Sequence, residues 1–314
     1  MTKKRVKMVL FAVVMALLVA FLFLTSSTDL ILSEARTKVY QISCLVPDTD
    51  SADWTMFCKG LDVGAARFYA DIAFVTLYEY ENAPEAQRRS LGREIESGAD
   101  ALIVAGANAA DMAQAVSALG GKVPIVGAAF ALPQTDIAQI TYDYTAASAL
   151  LAEYLHAHAQ SKVTMVCEKA ASEQTRFASM AEAMESAGIS VARAAPGSDA
   201  SLSDWMRAQA KGSVLLAPTP TLLLRLAEAR RAAARNDIVL VGIGNTPETL
   251  SALEAGDASA LLCADELQAG YLCVQAAVKA AEGKKTASLA LPFRLITRDT
   301  MFLEENTHLL FPTA

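Results

Sequence analysis

The stretch IVLVGIGNTPETLSALEAG, residues 238–256, decides how this chain folds. Ile238–Val241 is apolar without alternation, the pattern of a short strand covered on both faces. Gly242, Gly244 and Asn245 break the run. Thr246-Pro247-Glu248 follows them. The helix predicted over Pro247–Ala255 stops at Gly256, which accepts the left-handed conformation of a helix end. A buried strand leading into a capped helix is the unit of a parallel α/β sheet.

The unit recurs on both sides of this stretch. Downstream, Leu261–Cys263 reads as a strand and Glu266–Gly283 as a helix. Upstream, strands are predicted over Val39–Val46, Ile72–Leu77, Ala101–Val104, Val123–Val126, Val163–Val166, Ile189–Ala192 and Val214–Ala217. Helices alternate with them over Asp53–Tyr69, Pro84–Ser97, Asp111–Leu119, Ala146–His158, Glu173–Ala187 and Thr221–Asn236. With 314 residues, 53% of them hydrophobic, the chain suffices for about two compact units. No low-complexity linker follows residue 38, so two lobes would share a close interface.

The N-terminus differs in kind. Met8–Leu24 is apolar without a break and follows Lys3, Lys4, Arg5 and Lys7. As a helix it would rise roughly 26 Å, just short of a bilayer's hydrocarbon core. Secretory signals share the layout but end in a small-x-small site. Here Thr25–Asp29 follows instead, and a weak site at Ala35 lies well beyond. No cysteine stands near the end of the run, which excludes a lipid-modified cleavage site. The expectation is a basic cytoplasmic tip, an uncleaved transmembrane anchor over 8–24 and a linker to 37, followed by an exported globule over 38–314. Cleavage and release is the alternative.

Beyond residue 24 the chain carries 23 bases and 34 acids, and such an acidic globule repels nucleic acid. Five cysteines are widely spaced with no C-x-x-C pair, and His156, His158 and His308 complete no metal-ligand pattern. The cysteines read as small buried apolar residues, and no metal is expected. Gly242 and Gly244 begin a dinucleotide fingerprint whose third glycine is replaced by Pro247, so that motif fails. There is no phosphate-binding G-x-x-x-x-G-K-[ST] and no G-x-S-x-G. With no base, nucleophile and orienting residue in evidence, neither an enzyme nor a cofactor is supported.

Ser51-Ala52-Asp53-Trp54 with Gly60 and Ala65-Ala66, Gly98-Ala99-Asp100-Ala101-Leu102-Ile103, and Val123-Pro124-Ile125-Val126 form a pattern along the chain. Together they resemble the type I periplasmic binding proteins, the family that includes ribose-binding proteins and the ligand domains of lac-repressor-type regulators. Ile238–Gly242 with Thr246-Pro247-Glu248, and Leu253–Gly256 with Gly270-Tyr271 and Gly283-Lys284, extend the match to most of the globule. The resemblance implies two Rossmann-like lobes with parallel sheets, joined by three hinge crossings near Asp143, Asp265 and Pro292. Lobe one would comprise about 38–142 plus 266–291, and lobe two about 144–264 plus 293–314.

The resemblance also implies a ligand cleft between the lobes. It places Trp54 as an aromatic face, Asp53 and Arg176 as polar anchors, and Asn108, Phe130, Asp143, Thr219, Asn245 and Asp265 around them. Each has a plainer role: Trp54 as packing, Asp53 as a helix cap, Asp143 as a hinge hydrogen-bonder, Arg176 as a surface residue, and Asn108 and Asn245 as turn residues. The family's sugar-binding Asp-Arg pair falls at Ala129-Phe130, its asparagine at Thr219, its aspartate at Gly244 and its hinge glutamine at Ala264. A pocket that has lost those groups suits a less hydroxylated ligand, with an aromatic or anionic group. The implied function is an extracytoplasmic solute-binding protein serving a sugar-type ABC permease. The alternative is a tethered receptor that reports solute occupancy to a sensor histidine kinase.

Overall fold

The computed structural model describes residues 11–22, 38–46, 54–76, 84–105, 109–167, 171–196 and 199–311. It divides into two compact units, Met1–Val39 and Tyr40–Ala314. In the first, residues 11–22 form a helix, α1, exposed along its whole described length. Twelve helical residues rise about 18 Å, well under a hydrocarbon core of about 30 Å. Among the described residues no helix is long and apolar enough to cross a membrane. The expected span of 8–24 is described only in part, because residues 8–10 and 23–24 lie outside the described residues.

The second unit holds two six-stranded sheets. The first contains β1 (Tyr40–Val46), β2 (Ala70–Thr76), β3 (Ala101–Val104), β4 (Ile125–Ala129), β5 (Ala138–Tyr142) and β11 (Leu289–Leu291). Their order is β11-β5-β4-β3-β1-β2, and every pair is parallel. The second contains β6 (Lys162–Val166), β7 (Ser190–Ala194), β8 (Val214–Ala217), β9 (Val239–Ile243), β10 (Ala260–Ala264) and β12 (Phe293–Thr297), in the order β12-β10-β9-β8-β6-β7.

Strand alternation gives each sheet two apolar faces. Ile42, Cys44 and Val46 of β1 point towards α2 (Thr55–Phe68) and α10 (Glu266–Ala281). Leu45 points the other way, towards α3 (Pro84–Glu96) and α4 (Ala109–Ser117). In the second sheet, one core includes α5 (Tyr144–Ala157) and α6 (Ala171–Ser186). The other includes α7 (Asp199–Ala208), α8 (Pro220–Ala232), α9 (Pro247–Ala255) and α11 (Glu304–Leu310).

The chain passes between the sheets three times: at Asp143 from β5 to α5, at Asp265 from β10 to α10, and at Pro292 from β11 to β12. All three passages leave a strand at its carboxyl end, so the carboxyl edges of the two sheets face one another. The third also explains the one departure from the expected parallel sheets. Entering the second sheet from its carboxyl edge, β12 must run antiparallel to β10. Five elements escaped the sequence reading: β5, α7, β11, β12 and α11.

Packing between α2 and α10 is backbone against backbone. A Cβ added at Gly60 would lie 2.0 Å from the Leu267 carbonyl oxygen, and one at Gly270 would lie 2.1 Å from that of Phe57. Only glycine permits the approach. Since α2 begins beside Trp54 and α10 at Asp265, this contact fixes two points on the carboxyl edge of the first lobe.

Candidate functional site

On the first lobe, the described residues of the edge include a pair of aromatic rings. Trp54 precedes α2, and its ring stands edge-on to Phe57 at 5.4 Å and to Phe130 at 6.4 Å. It packs partly against the lobe's core. Phe130 follows β4 through a strained turn: Ala129 has φ 64°, and the Phe130 N–H donates to the Ala128 carbonyl at 2.7 Å. A non-glycine residue held there costs of order 1–3 kcal/mol. The strain accompanies the placing of Phe130 against Trp54.

The crossings are built from caps and aromatic rings. Asp143 Oδ1 accepts from the Ala146 N–H at 2.9 Å and so caps α5, while the Asp143 N–H donates to the Leu291 carbonyl at 2.9 Å. Asp265 Oδ1 caps α10 by accepting from the Gln268 N–H at 2.8 Å. Tyr142, Tyr144 and Phe293 form a cluster with ring centroids 5.3–6.3 Å apart. Tyr142 packs against the cores of both lobes. Burial raises its phenol well above the usual tyrosine range, and the Glu266 carboxylate pushes the same way. It therefore stays a neutral donor at physiological pH. The sequence reading did not single out this cluster, although its three rings flank two of the expected crossings directly.

On the second lobe the edge is polar. Thr219 Oγ1 caps α8, accepting from the Leu222 N–H at 3.2 Å. Thr246 caps α9 by accepting from the Thr249 N–H at 3.3 Å, a cap the sequence reading did not single out. A Cβ at Gly244 would lie 2.7 Å from Pro220 Cγ, so the turns after β8 and β9 touch and bring Thr219 near Asn245. Asn245 is buried, and its Nδ2 donates to the Ala264 carbonyl at 3.2 Å. Among the described residues its Oδ1 has no hydrogen-bond partner, and it is buried. An acceptor left so costs about 1–3 kcal/mol.

The residues chosen from sequence thus fall into three groups: Trp54 with Phe130, Asp143 and Asp265 at the crossings, and Thr219 with Asn245. Asp53 and Asn108 lie outside the described residues, and Arg176 falls in α6 with its side chain outside them. The N-termini of α5, α8, α9 and α10 all point at the carboxyl edges, which makes that region partially positive. Among the described residues no cluster of His, Cys, Asp and Glu could hold a metal ion. None of the five cysteines is in a disulfide, and Cys44, Cys263 and Cys273 are buried, which raises each thiol far above its ordinary range.

Two α/β lobes facing each other across carboxyl edges, joined three times and lined by rings, caps and an unsatisfied amide, define a two-lobed solute-binding class of protein. The sequence matches the family described as the periplasmic binding protein domain over residues 42–285, and the chain belongs to that family. Among solved structures, it resembles a carbohydrate transporter solute-binding protein from Agrobacterium radiobacter in complex with D-arabinose. That pair is 18% identical, covering 88% of this chain and 100% of the other, with a TM-score of 0.74. An ABC transporter solute-binding protein from Bacillus halodurans with bound myo-inositol gives 17% identity, 87% and 99% coverage and a TM-score of 0.73. A protein from Brachyspira murdochii, described as an ABC transporter and LacI family transcriptional regulator, gives 17%, 87% and 99% with a TM-score of 0.66. At such identities the likeness concerns the fold. No curated protein matches the sequence.

Proposed function

We propose that this chain is a membrane-tethered, extracytoplasmic solute-binding protein that takes a small sugar or related solute between its lobes for an ABC permease. The observation that supports the reading most is Asn245, whose buried Oδ1 lacks a donor that a solute hydroxyl or amine would supply. Arabinose and myo-inositol, held by the two neighbours named above, set the expected class of solute. The replacements at Ala129, Phe130, Gly244 and Ala264 leave fewer hydrogen bonds for ring hydroxyls. The Trp54–Phe130 pair favours an apolar or aromatic face on the ligand. The exposed apolar α1, preceded by four basic residues, supports the tether. Such a tether would equally suit the second reading, a receptor that passes occupancy to a sensor kinase.

A thermal-shift screen of the full chain in detergent against sugars, polyols, amino acids and purines tests the reading, because a specific ligand raises the melting temperature by mass action. At least one compound should raise it. A screen with no responder would refute solute binding.

A further inference from the structure

The first lobe carries a recess on its flank, between the outer face of α3 and the turn after α4. Gln87, Ser90 and Leu91 of α3 are buried, so Arg88, Arg89, Gly92, Arg93 and Glu96 occupy its outer face. With Lys122, from the turn after α4, they line a cavity of about 560 Å³. Four cations and one carboxylate meet here, on a globule that is otherwise strongly acidic. Glu94 does not line the recess; it accepts from Ser43 Oγ at 2.7 Å on the inner side of the helix. Arg93 is held by donating to Ser90 Oγ at 3.0 Å. Arg88, Arg89 and Lys122 form no ion pair with a described residue.

Gly92 points to an occupant. Glycine is among the least favourable residues inside a helix. A Cβ added here would meet no atom within 4 Å, and the backbone is ordinary helix. Neither packing nor conformation requires glycine. What it preserves is the space between the arginines.

The turn after α3 lies beside the start of β1, where the Asp100 N–H donates to the Gln41 carbonyl at 2.7 Å and the Gln41 N–H to Asp100 Oδ2 at 2.9 Å. This is the amino edge of the first sheet, where the chain enters from the segment bearing the apolar run.

We propose that the recess binds the phosphate of an anionic lipid headgroup and holds the amino edge of the first lobe on the bilayer, with the cleft turned outward. Guanidinium forks match phosphate oxygens, and basic residues near an anionic bilayer are drawn to it. The inference rests on the anchored reading of residues 8–24. The test is hydrogen exchange of the full chain in phosphatidylcholine nanodiscs with and without phosphatidylglycerol. Exchange in α3 and residues 118–122 should slow only with phosphatidylglycerol. Arg88→Gln/Arg89→Gln/Lys122→Gln should abolish the effect, at about fivefold in affinity per cation and about a hundredfold together. Gly92→Leu, which keeps every charge and fills the recess, should weaken the protection without lowering the melting temperature. Equal exchange in the two discs, or protection by inorganic phosphate alone, would overturn the assignment. A chain that enters neither disc refutes the anchor instead, and flotation with phosphatidylglycerol vesicles then still reads the recess.

Discussion

Gly270→Ala offers a sharp test of how the first lobe is assembled. The added Cβ would sit 2.1 Å from the Phe57 oxygen and 2.7 Å from the Leu61 nitrogen, both backbone atoms that no rotamer change can move. Reaching even the shortest tolerated contact requires α2 and α10 to part by about 1 Å. Overpacking of this kind costs about 1–3 kcal/mol, and the better helix propensity of alanine returns up to about 1 kcal/mol. Net destabilisation of about 1–2 kcal/mol is expected, which lowers the melting temperature by several degrees. Gly92→Ala is the matched control. It too replaces a mid-helix glycine, but with nothing within 4 Å it should stabilise by about 0.5–1 kcal/mol. Urea denaturation of both variants, followed by far-ultraviolet circular dichroism, measures the difference. If Gly270→Ala is as stable as Gly92→Ala, the helices are not in backbone contact and the account of this lobe is wrong.

Three further outcomes are expected. The Arg235 guanidinium, bonded to both oxygens of Asp237 at 2.8 Å, holds that carboxyl well below the usual carboxylate range. A depressed folded-state value stabilises above the unfolded value near pH 4, and the contribution fades as pH falls towards the folded one. Asp237→Asn should therefore flatten the acid limb of the melting-temperature profile below about pH 4; a profile parallel to wild type would contradict the pairing. Tyr142→Ala, which empties a site shared by both cores, should cost about 2–4 kcal/mol, whereas Tyr142→Phe should cost under about 1.5 kcal/mol, as read by denaturant unfolding. Equal losses would mean that the hydroxyl, not the ring, joins the lobes. Mass spectrometry of the membrane fraction should find residues 8–24 retained, and a mature N-terminus near Arg36 would show them cleaved.

The parts of the fold that were legible in the sequence were those whose signal is local. Ile238–Val241 and Ala101–Val104 are continuous apolar runs, and Gly256 marks the end of the helix over Pro247–Ala255. β5 was not legible, because Gln139 interrupts it and is satisfied only by folding, through Leu132 and Thr135. In α7 the spacing of Leu202, Trp205 and Met206 was present but is only one turn long. Nothing within Phe293–Thr297 encodes its antiparallel direction, which follows from where the chain enters the second sheet. For the site, Asp143, Thr219 and Asp265 were selected as ligand groups, and the structure has each of them capping a helix. A capping oxygen and a ligand-binding oxygen look alike in sequence. The Tyr142 cluster depends on two separated segments meeting, which no periodicity records.

The central claim is that one solute is gripped by both lobes. Isothermal calorimetry on the full chain tests it, using whichever of D-arabinose, myo-inositol, D-ribose, an amino acid or a purine gives the largest thermal shift. Trp54→Ala on the first lobe and Asn245→Leu on the second are compared with wild type. The account predicts that each variant loses at least about tenfold in affinity, equivalent to about 1.4 kcal/mol. Asn245→Leu also removes the Nδ2 bond to the Ala264 carbonyl, a loss that deleting the unpartnered Oδ1 offsets in part, so the melting temperature should fall by no more than a few degrees. Binding that survives both substitutions, or responds to only one lobe, would contradict it.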